Sequence, residues 1–230
     1  MPSSRRIAVV TGASRGIGRA IALRLAGDHD IVAVARSATQ LESLAAEIGA
    51  TGGECRPLSL DITDAAAVGG ALGGIDADVL VNNAGVGIVR PLLELQPDEW
   101  RTMMDVNVNA LYHVTRALLP GMVKRGRGHV INIGSMAGRS AFVGGSGYAA
   151  SKHFVVGFSE SLLLEVRERG VKVSVVMPGS TNTSFGRGGA GGKEWALSAT
   201  DVAEAVAHVV ATPQNVLVSR VELRPLSTGP

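Results

Sequence analysis

Tyr148 and Lys152, in the stretch YAASK, stand four residues apart with only small residues between them. Positions i and i+4 share a face of a helix, so a phenol and an ammonium would meet there. A free phenol releases its proton with a reference pKa of about 10. A neighbouring cation favours the phenolate and lowers that value, bringing it toward the neutral range that acid–base catalysis prefers. The alternative is a tyrosine and a lysine on an exposed helix face, with no chemistry at all. These five residues alone fit both readings, so a cofactor site and a substrate pocket have to come from the rest of the chain.

The stretch TGASRGIG, Thr11–Gly18, carries glycines at Gly12, Gly16 and Gly18. Their spacing is longer than the G-x-G-x-x-G dinucleotide fingerprint, but the physics is shared. Glycines permit a tight turn and close backbone approach, and a helix N-terminus presents free N–H groups and a positive dipole to a pyrophosphate. Further polar residues follow in LD (Leu60–Asp61), NNAG (Asn82–Gly85), DVN (Asp105–Asn107), INIGS (Ile131–Ser135) and MPGSTNT (Met177–Thr183). Each has an ordinary reading by itself: Asp61 as a helix cap, Asn82 and Asn83 as a turn, Ser135 as a loop serine. Their order, each at the end of an apolar run, is hard to explain by turns alone.

The elements that must position these groups alternate. Strand-like runs are expected at Ile7–Val10, Ile31–Ala35, Cys55–Leu60, Val79–Val81, His129–Ile133, Val171–Val176 and Asn215–Ser219. Helical patterns separate them at Gly16–Ala26, Thr39–Ile48, Ala65–Leu72, Asp98–Lys124, Tyr148–Glu168 and Thr200–Thr212. Continuous apolar strands linked by helices imply a seven-stranded parallel sheet covered on both faces, an α/β fold. Ligands of such sheets bind outside the carboxyl ends of the strands, where the polar residues above fall. The chain of 230 residues fits one domain spanning 1–230. The low-complexity patch Gly186–Lys193 suggests a mobile lid over the substrate, within 181–199.

Composition excludes other classes. The formal net charge is only +2, and no Lys/Arg cluster points to nucleic acid or a membrane surface. The single cysteine, Cys55, sits in an apolar stretch and reads as a buried structural thiol in a reducing compartment. The start, MPSSRRIAVVTGAS, reads as a first strand rather than a signal peptide, so the cytoplasm is the expected location. His29, His113, His129, His153 and His208 show no spacing that would close a zinc site, and no metal is expected.

From about Ile7 to Val221 the chain resembles the short-chain dehydrogenase/reductases of the single-domain Rossmann type. The resemblance rests on the glycine turn, NNAG, Ser135 with Tyr148-x-x-x-Lys152, and Pro178-Gly179. It implies hydride transfer between a nicotinamide and a small or medium carbonyl or alcohol. Tyr148 would be the general acid and base, Lys152 its cationic neighbour and a holder of the nicotinamide ribose. Ser135 would stabilise charge on the substrate oxygen, and Asn107 would support a water-mediated proton path to Lys152. The implied cofactor contacts are Gly12, Ser14, Arg15, Gly16, Ile17 and Gly18 in the glycine turn, then Arg36, Asp61 and Ile62. Asn83, Ala84 and Gly85 follow, with Tyr148, Lys152, Pro178, Gly179, Thr181 and Thr183. The C-terminus, VSRVELRPLSTGP, departs from the longer segment with a DGG-like motif that many members carry.

NADP(H) is the expected cofactor. NAD enzymes place a carboxylate at the end of the second strand to bind the ribose 2′-hydroxyl; here Ala35 stands there, followed by Arg36, with Arg15 in the glycine turn. Two other classes compete: a non-catalytic redox sensor, which would need no proton donor, and an epimerase or dehydratase, disfavoured by the short C-terminal region. Apolar residues on the later long helices, including Val155, Val156, Phe158, Leu162 and Leu163, suggest a homo-oligomer, a tetramer or a dimer.

Overall fold

The computed structural model describes residues 5–183, 185 and 194–227. Seven parallel strands form one sheet in the order β3-β2-β1-β4-β5-β6-β7. The strands are β1 Arg6–Thr11, β2 His29–Ala35, β3 Cys55–Ser59, β4 Val79–Asn82, β5 Gly128–Ile133, β6 Val171–Pro178 and β7 Arg220–Leu223. Helices α1 Gly16–Leu25, α2 Ala38–Ala50, α3 Ala65–Leu72, α4 Pro97–Met104, α5 Ala110–Arg125, α6 Ser146–Val166 and α7 Ala199–Val210 make the connections. Strand side chains alternate between two cores, as the period of two requires. Ala8, Val10, Ile31, Ala33, Val79, Val81 and Ile131 pack under α1, α2 and α7. Val9, Val32, Val34, Leu80 and Val130 face α3, α5 and α6. The Gly186–Lys193 patch lies outside the described residues.

Two expected elements are placed differently. The single helix expected over Asp98–Lys124 is split by a π-helical turn at Asp105–Asn109. A π-turn inserts an extra residue and shifts the helical register, and here Asn107 is buried in it. The last strand was expected at Asn215–Ser219 but pairs only from Arg220, opposite Val175. Of the earlier segment only the Ser219 carbonyl bonds to the β6 backbone, at Val175 N; side chains of β6 take the carbonyls of Val218, Val216 and Thr212. The Ser174 hydroxyl donates to Val218 O at 2.6 Å, and the Lys172 ammonium donates to Thr212 O at 3.0 Å and Val216 O at 3.4 Å. Cys55 is half-buried against the first core, and burial pushes its thiol pKa up.

A buried polar chain ties β4 to β5 beneath their carboxyl ends. The Asn82 amide donates to Thr115 Oγ1 and to Asn132 Oδ1, both at 2.9 Å. The Asn132 amide donates to Ser159 Oγ at 2.8 Å, which in turn donates to Val155 O at 2.6 Å. Buried polar groups left without partners cost about 1–3 kcal/mol each. Asn132→Ala takes one partner from the Asn82 amide, which keeps Thr115, and one from the Ser159 hydroxyl, which keeps the Val155 carbonyl, so it should lower the unfolding free energy by about 1–3 kcal/mol. Urea denaturation checks this; a change within experimental error would show that the chain contributes nothing to stability.

Candidate active site

A cavity of about 1310 Å³ opens along the carboxyl edge of the sheet. One end is built by the turn from β1 into α1. Gly12 and Gly16 hold left-handed backbones at φ 67° and 56°, which favour glycine. A Cβ on Gly12 would lie 2.8 Å from the Asn83 amide nitrogen and 2.9 Å from Ala84 Cα. A Cβ on Gly18 would collide with the Gly12 carbonyl and the Asn83 amide. That closeness has a function in the fold: the Asn83 amide donates to Thr11 O at 3.0 Å and Gly12 O at 3.3 Å. The Thr11 hydroxyl accepts from the backbone N–H groups of Asn83 and Ala84 at 3.0 and 3.1 Å.

Gly12, Ser14, Arg15, Gly16 and Ile17 line this end, with Arg36 just past β2 and Asp61 and Ile62 past β3. Arg15 and Arg36 are both exposed. Asp61 does not cap α3; Asp64 does, accepting from Ala66 N and Ala67 N at 3.0 Å. Asp61 instead accepts from the Thr63 N–H and hydroxyl, at 3.0 and 2.8 Å. Those two bonds, with the Arg36 charge behind them, hold its carboxyl below the usual range.

Ala84, Gly85, Ser135, Tyr148, Lys152, Pro178, Gly179, Thr181 and Thr183 line the rest of the cavity. Of the residues expected in the site, Gly18 and Asn107 do not line it; they support those that do. The Asn107 amide donates to Val86 O at 2.8 Å and Ser151 Oγ at 2.9 Å, and its carbonyl accepts from Val86 N at 2.8 Å. This side chain fixes the backbone after Gly85, where an added Cβ would sit 3.3 Å from Asn107 Oδ1 and 3.7 Å from Lys152 Nζ.

Ser135 ends the β5 loop, its hydroxyl oxygen accepting from Ala137 N at 3.1 Å. Tyr148 lies on the first turns of α6, where burial raises its pKa and a hydrogen bond from Ser135 opposes the rise. The expected lowering of the phenol by Lys152 is absent from the polypeptide by itself. The Lys152 ammonium is turned to Ile133 O at 2.9 Å, and the residue is only 5% exposed. Burial pulls its pKa down to about 8, which leaves it mostly charged at neutral pH.

Reading of the sequence missed several groups here. Thr11, Thr115, Asn132, Ser151 and Ser159 carry the supporting hydrogen bonds; an asparagine in the middle of the apolar run HVINI was the available signal. Phe185 was missed as well. Its ring centroid lies 6.0 Å from that of Tyr148 with the planes tilted by 55°. On α6, Val155, Val156 and Leu162 are not surplus: all are buried within the chain's own cores. Among the described residues, no helix is long and apolar enough to cross a membrane.

With this fold and this site, the chain belongs to the short-chain dehydrogenase family, whose sequence model matches residues 6–189. It is 36% identical over 96% of its length, and 95% of the relative's, to the NADP-dependent 3-hydroxy acid dehydrogenase YdfG of Salmonella typhi. It is 38% identical to the 3-oxoacyl-[acyl-carrier-protein] reductase FabG of Escherichia coli, over 79% of this chain and 76% of that one. Among solved structures, the closed form of a serine dehydrogenase complexed with NADP+ superposes with a TM-score of 0.89 at 34% identity, covering 94% of each chain. An alcohol dehydrogenase from the archaeon Thermococcus sibiricus, complexed with 5-hydroxy-NADP, gives 0.91 at 32% identity, covering 98% of each.

Lys152 has a lowered pKa in the folded chain, so the folded state resists its protonation. The resulting stability penalty is fully present below about pH 8 and disappears as pH rises toward the unfolded lysine value near 10.4. Lys152→Met should therefore melt at a higher temperature than the parent at pH 7, with the gap closing by about pH 10. Calorimetry at both pH values tests this; a lower melting temperature for the variant at pH 7 would mean the buried ammonium is net stabilising.

Proposed function

We propose that this chain is an NADP(H)-dependent oxidoreductase that interconverts a carbonyl and an alcohol, with Tyr148 as general acid and base. The observation that carries the reading is convergence. Ser135, Tyr148 and Lys152 line one cavity whose other end is a glycine turn at a helix N-terminus flanked by Arg15 and Arg36. The residues fit a dinucleotide, since Gly12 and Gly16, in left-handed conformations that favour glycine, bring bare backbone to the cavity wall. NADPH, when bound, supplies the hydride for reduction of the carbonyl carbon.

The chain's own residues supply the rest. Tyr148 gives its proton to the carbonyl oxygen, and the Ser135 hydroxyl donates a hydrogen bond to that oxygen as charge develops. Lys152 provides positive charge beside the phenol and a donor for the nicotinamide ribose, while Asn107 holds the Val86 backbone and keeps Gly85 and Lys152 in register. A non-catalytic redox sensor has no need of this buried proton-handling set. We also propose a homo-oligomer, tetramer or dimer. Its support is narrower than the sequence suggested: Leu164 on α6 and Tyr112 on α5 remain 64% and 48% exposed. The single thiol, Cys55, suits the reducing cytoplasm proposed as its setting.

Tyr148→Phe should lower kcat by at least about a thousandfold, within the range attributed to proton transfer plus positioning, and leave NADPH affinity nearly unchanged. Steady-state rates and NADPH fluorescence titration test the two halves separately; a variant retaining most of its activity would disprove the assignment. The second expectation concerns the cofactor. A guanidinium binds a phosphate with charge-assisted hydrogen bonds of roughly 1.5–3 kcal/mol each. With solvent screening, Arg15 and Arg36 should give NADPH an advantage over NADH of about tenfold to a thousandfold in kcat/KM. Arg36→Ala should lose NADPH efficiency selectively, whereas equal use of both cofactors by the parent would refute the role of the two arginines.

A further inference from the structure

Resting on that reading, we infer that the substrate is a neutral carbonyl compound carrying an apolar chain, and that the pocket disfavours a free carboxylate beside the reacting carbonyl. The two ends of the cavity differ in character. Around Tyr148 the wall consists of Ile88, Val89, Met136, Phe142 and Phe185. A close approach places Phe185 at the tyrosine. A Cβ on Gly87 would lie 2.6 Å from the Phe185 ring and 3.4 Å from the Tyr148 ring, so these three residues meet. Gly144 and Gly145 immediately precede α6. An added Cβ there would lie 3.2 Å from Val89 and 2.8 Å from Phe142, respectively. Beyond the wall, Val143 and Leu93 stand 93% and 100% exposed, next to the lining residues Phe142 and Glu94.

The charges at this end oppose an anion. Lys152 lies at the base, bound to Ile133 O. Among the described residues that line the cavity away from the glycine turn, the other cation is Arg90, and its guanidinium is paired with Glu99 at 3.1 Å. Glu94 and Asp105 line the same region and add two carboxylates. A carboxylate entering here would shed water, meet like charges and compete with Glu99 for Arg90, which is unfavourable in a partly desolvated site. An alkyl chain would gain by covering the apolar wall, and each buried methylene strengthens binding by about three- to fourfold. Phe185 contributes to that wall beside the proton donor, its ring tilted against that of Tyr148, and only glycine at position 87 leaves it room.

The test compares β-oxobutanoate, β-oxohexanoate and β-oxooctanoate with their ethyl esters, following NADPH absorbance at neutral pH, with NADPH fluorescence as an independent measure of cofactor binding. The expected result is a kcat/KM at least about tenfold higher for each ester than for its acid. Efficiency should rise about two- to fourfold per added methylene along the ester series. In Phe185→Ala the rise with chain length should flatten, with the melting temperature measured to confirm the variant is folded. Acids used as well as esters, or efficiency independent of chain length, would overturn this substrate class while leaving the oxidoreductase reading intact. Turnover of neither series by protein that binds NADPH would overturn both.

Discussion

The structure depends on a reversal at the centre of its sheet. From β1 the order grows one way through β2 and β3 and the other way through β4 to β7, so the loops leaving β1 and β4 depart toward opposite faces and leave a crevice. Two loops diverging from adjacent strands would present unpaired backbone groups to each other. The Asn83 amide and the Thr11 hydroxyl resolve this by bonding across the gap. With those bonds in place, Gly12 and Gly18 are confined to glycine, and the N-terminus of α1 faces the cavity. Every group assigned to the cofactor is positioned relative to this clamp.

The second constraint is a buried ammonium. Desolvating a lysine costs free energy unless it finds a partner, and among the described residues Lys152 finds only the Ile133 carbonyl. A neutral acceptor is a weaker partner than a carboxylate, which explains a pKa drawn down to about 8. A carboxylate in that place would hold the cation more firmly, but it would also cancel the field that Tyr148 needs. The Tyr148 phenol, raised by burial, is a stronger proton reservoir in the polypeptide alone than the four-residue spacing suggested. Strain and desolvation of this kind persist where the surrounding structure is rigid, and the polar chain from Thr115 through Asn82 and Asn132 to Ser159 supplies rigidity directly beneath.

Much of this was legible in the sequence because it follows from local pattern. Alternating apolar runs and helical periods gave the sheet and its connections, and the polar residues at strand ends gave the site. What was not legible depends on side chains meeting across elements. Nothing in DVNVN shows that the helix widens into a π-turn, in which Asn107 is buried and bonds to Val86, 21 residues away. The run NVLVS looks like a strand, yet the carbonyls of Val216 and Val218 go to Lys172 and Ser174, and only the Ser219 carbonyl meets the β6 backbone, at Val175 N, where the ladder with Arg220 begins. The apolar residues of α6 looked excessive because their partners, such as Val175 and Met177 on β6, lie on another element. Likewise YAASK shows a cation near a phenol but not the direction in which the cation points.

The cavity therefore carries a gradient of polarity along the sheet edge, with physical consequences for how two ligands share it. At the β2 end the exposed guanidiniums of Arg15 and Arg36 and the dipole of α1 favour anions, and water there can screen and hydrate the phosphates of a dinucleotide. At the Tyr148 end Ile88, Val89, Met136, Phe142 and Phe185 line the wall, and apolar side chains hydrate poorly. Poor hydration strengthens local electrostatics, which raises the worth of a single hydrogen bond from Ser135 and of the Lys152 charge at the reacting oxygen. The same apolar surroundings would penalise a carboxylate. One sheet edge thus joins a half whose exposed arginines suit the proposed anionic cofactor to a half whose apolar lining suits the proposed neutral substrate, divided close to the buried lysine.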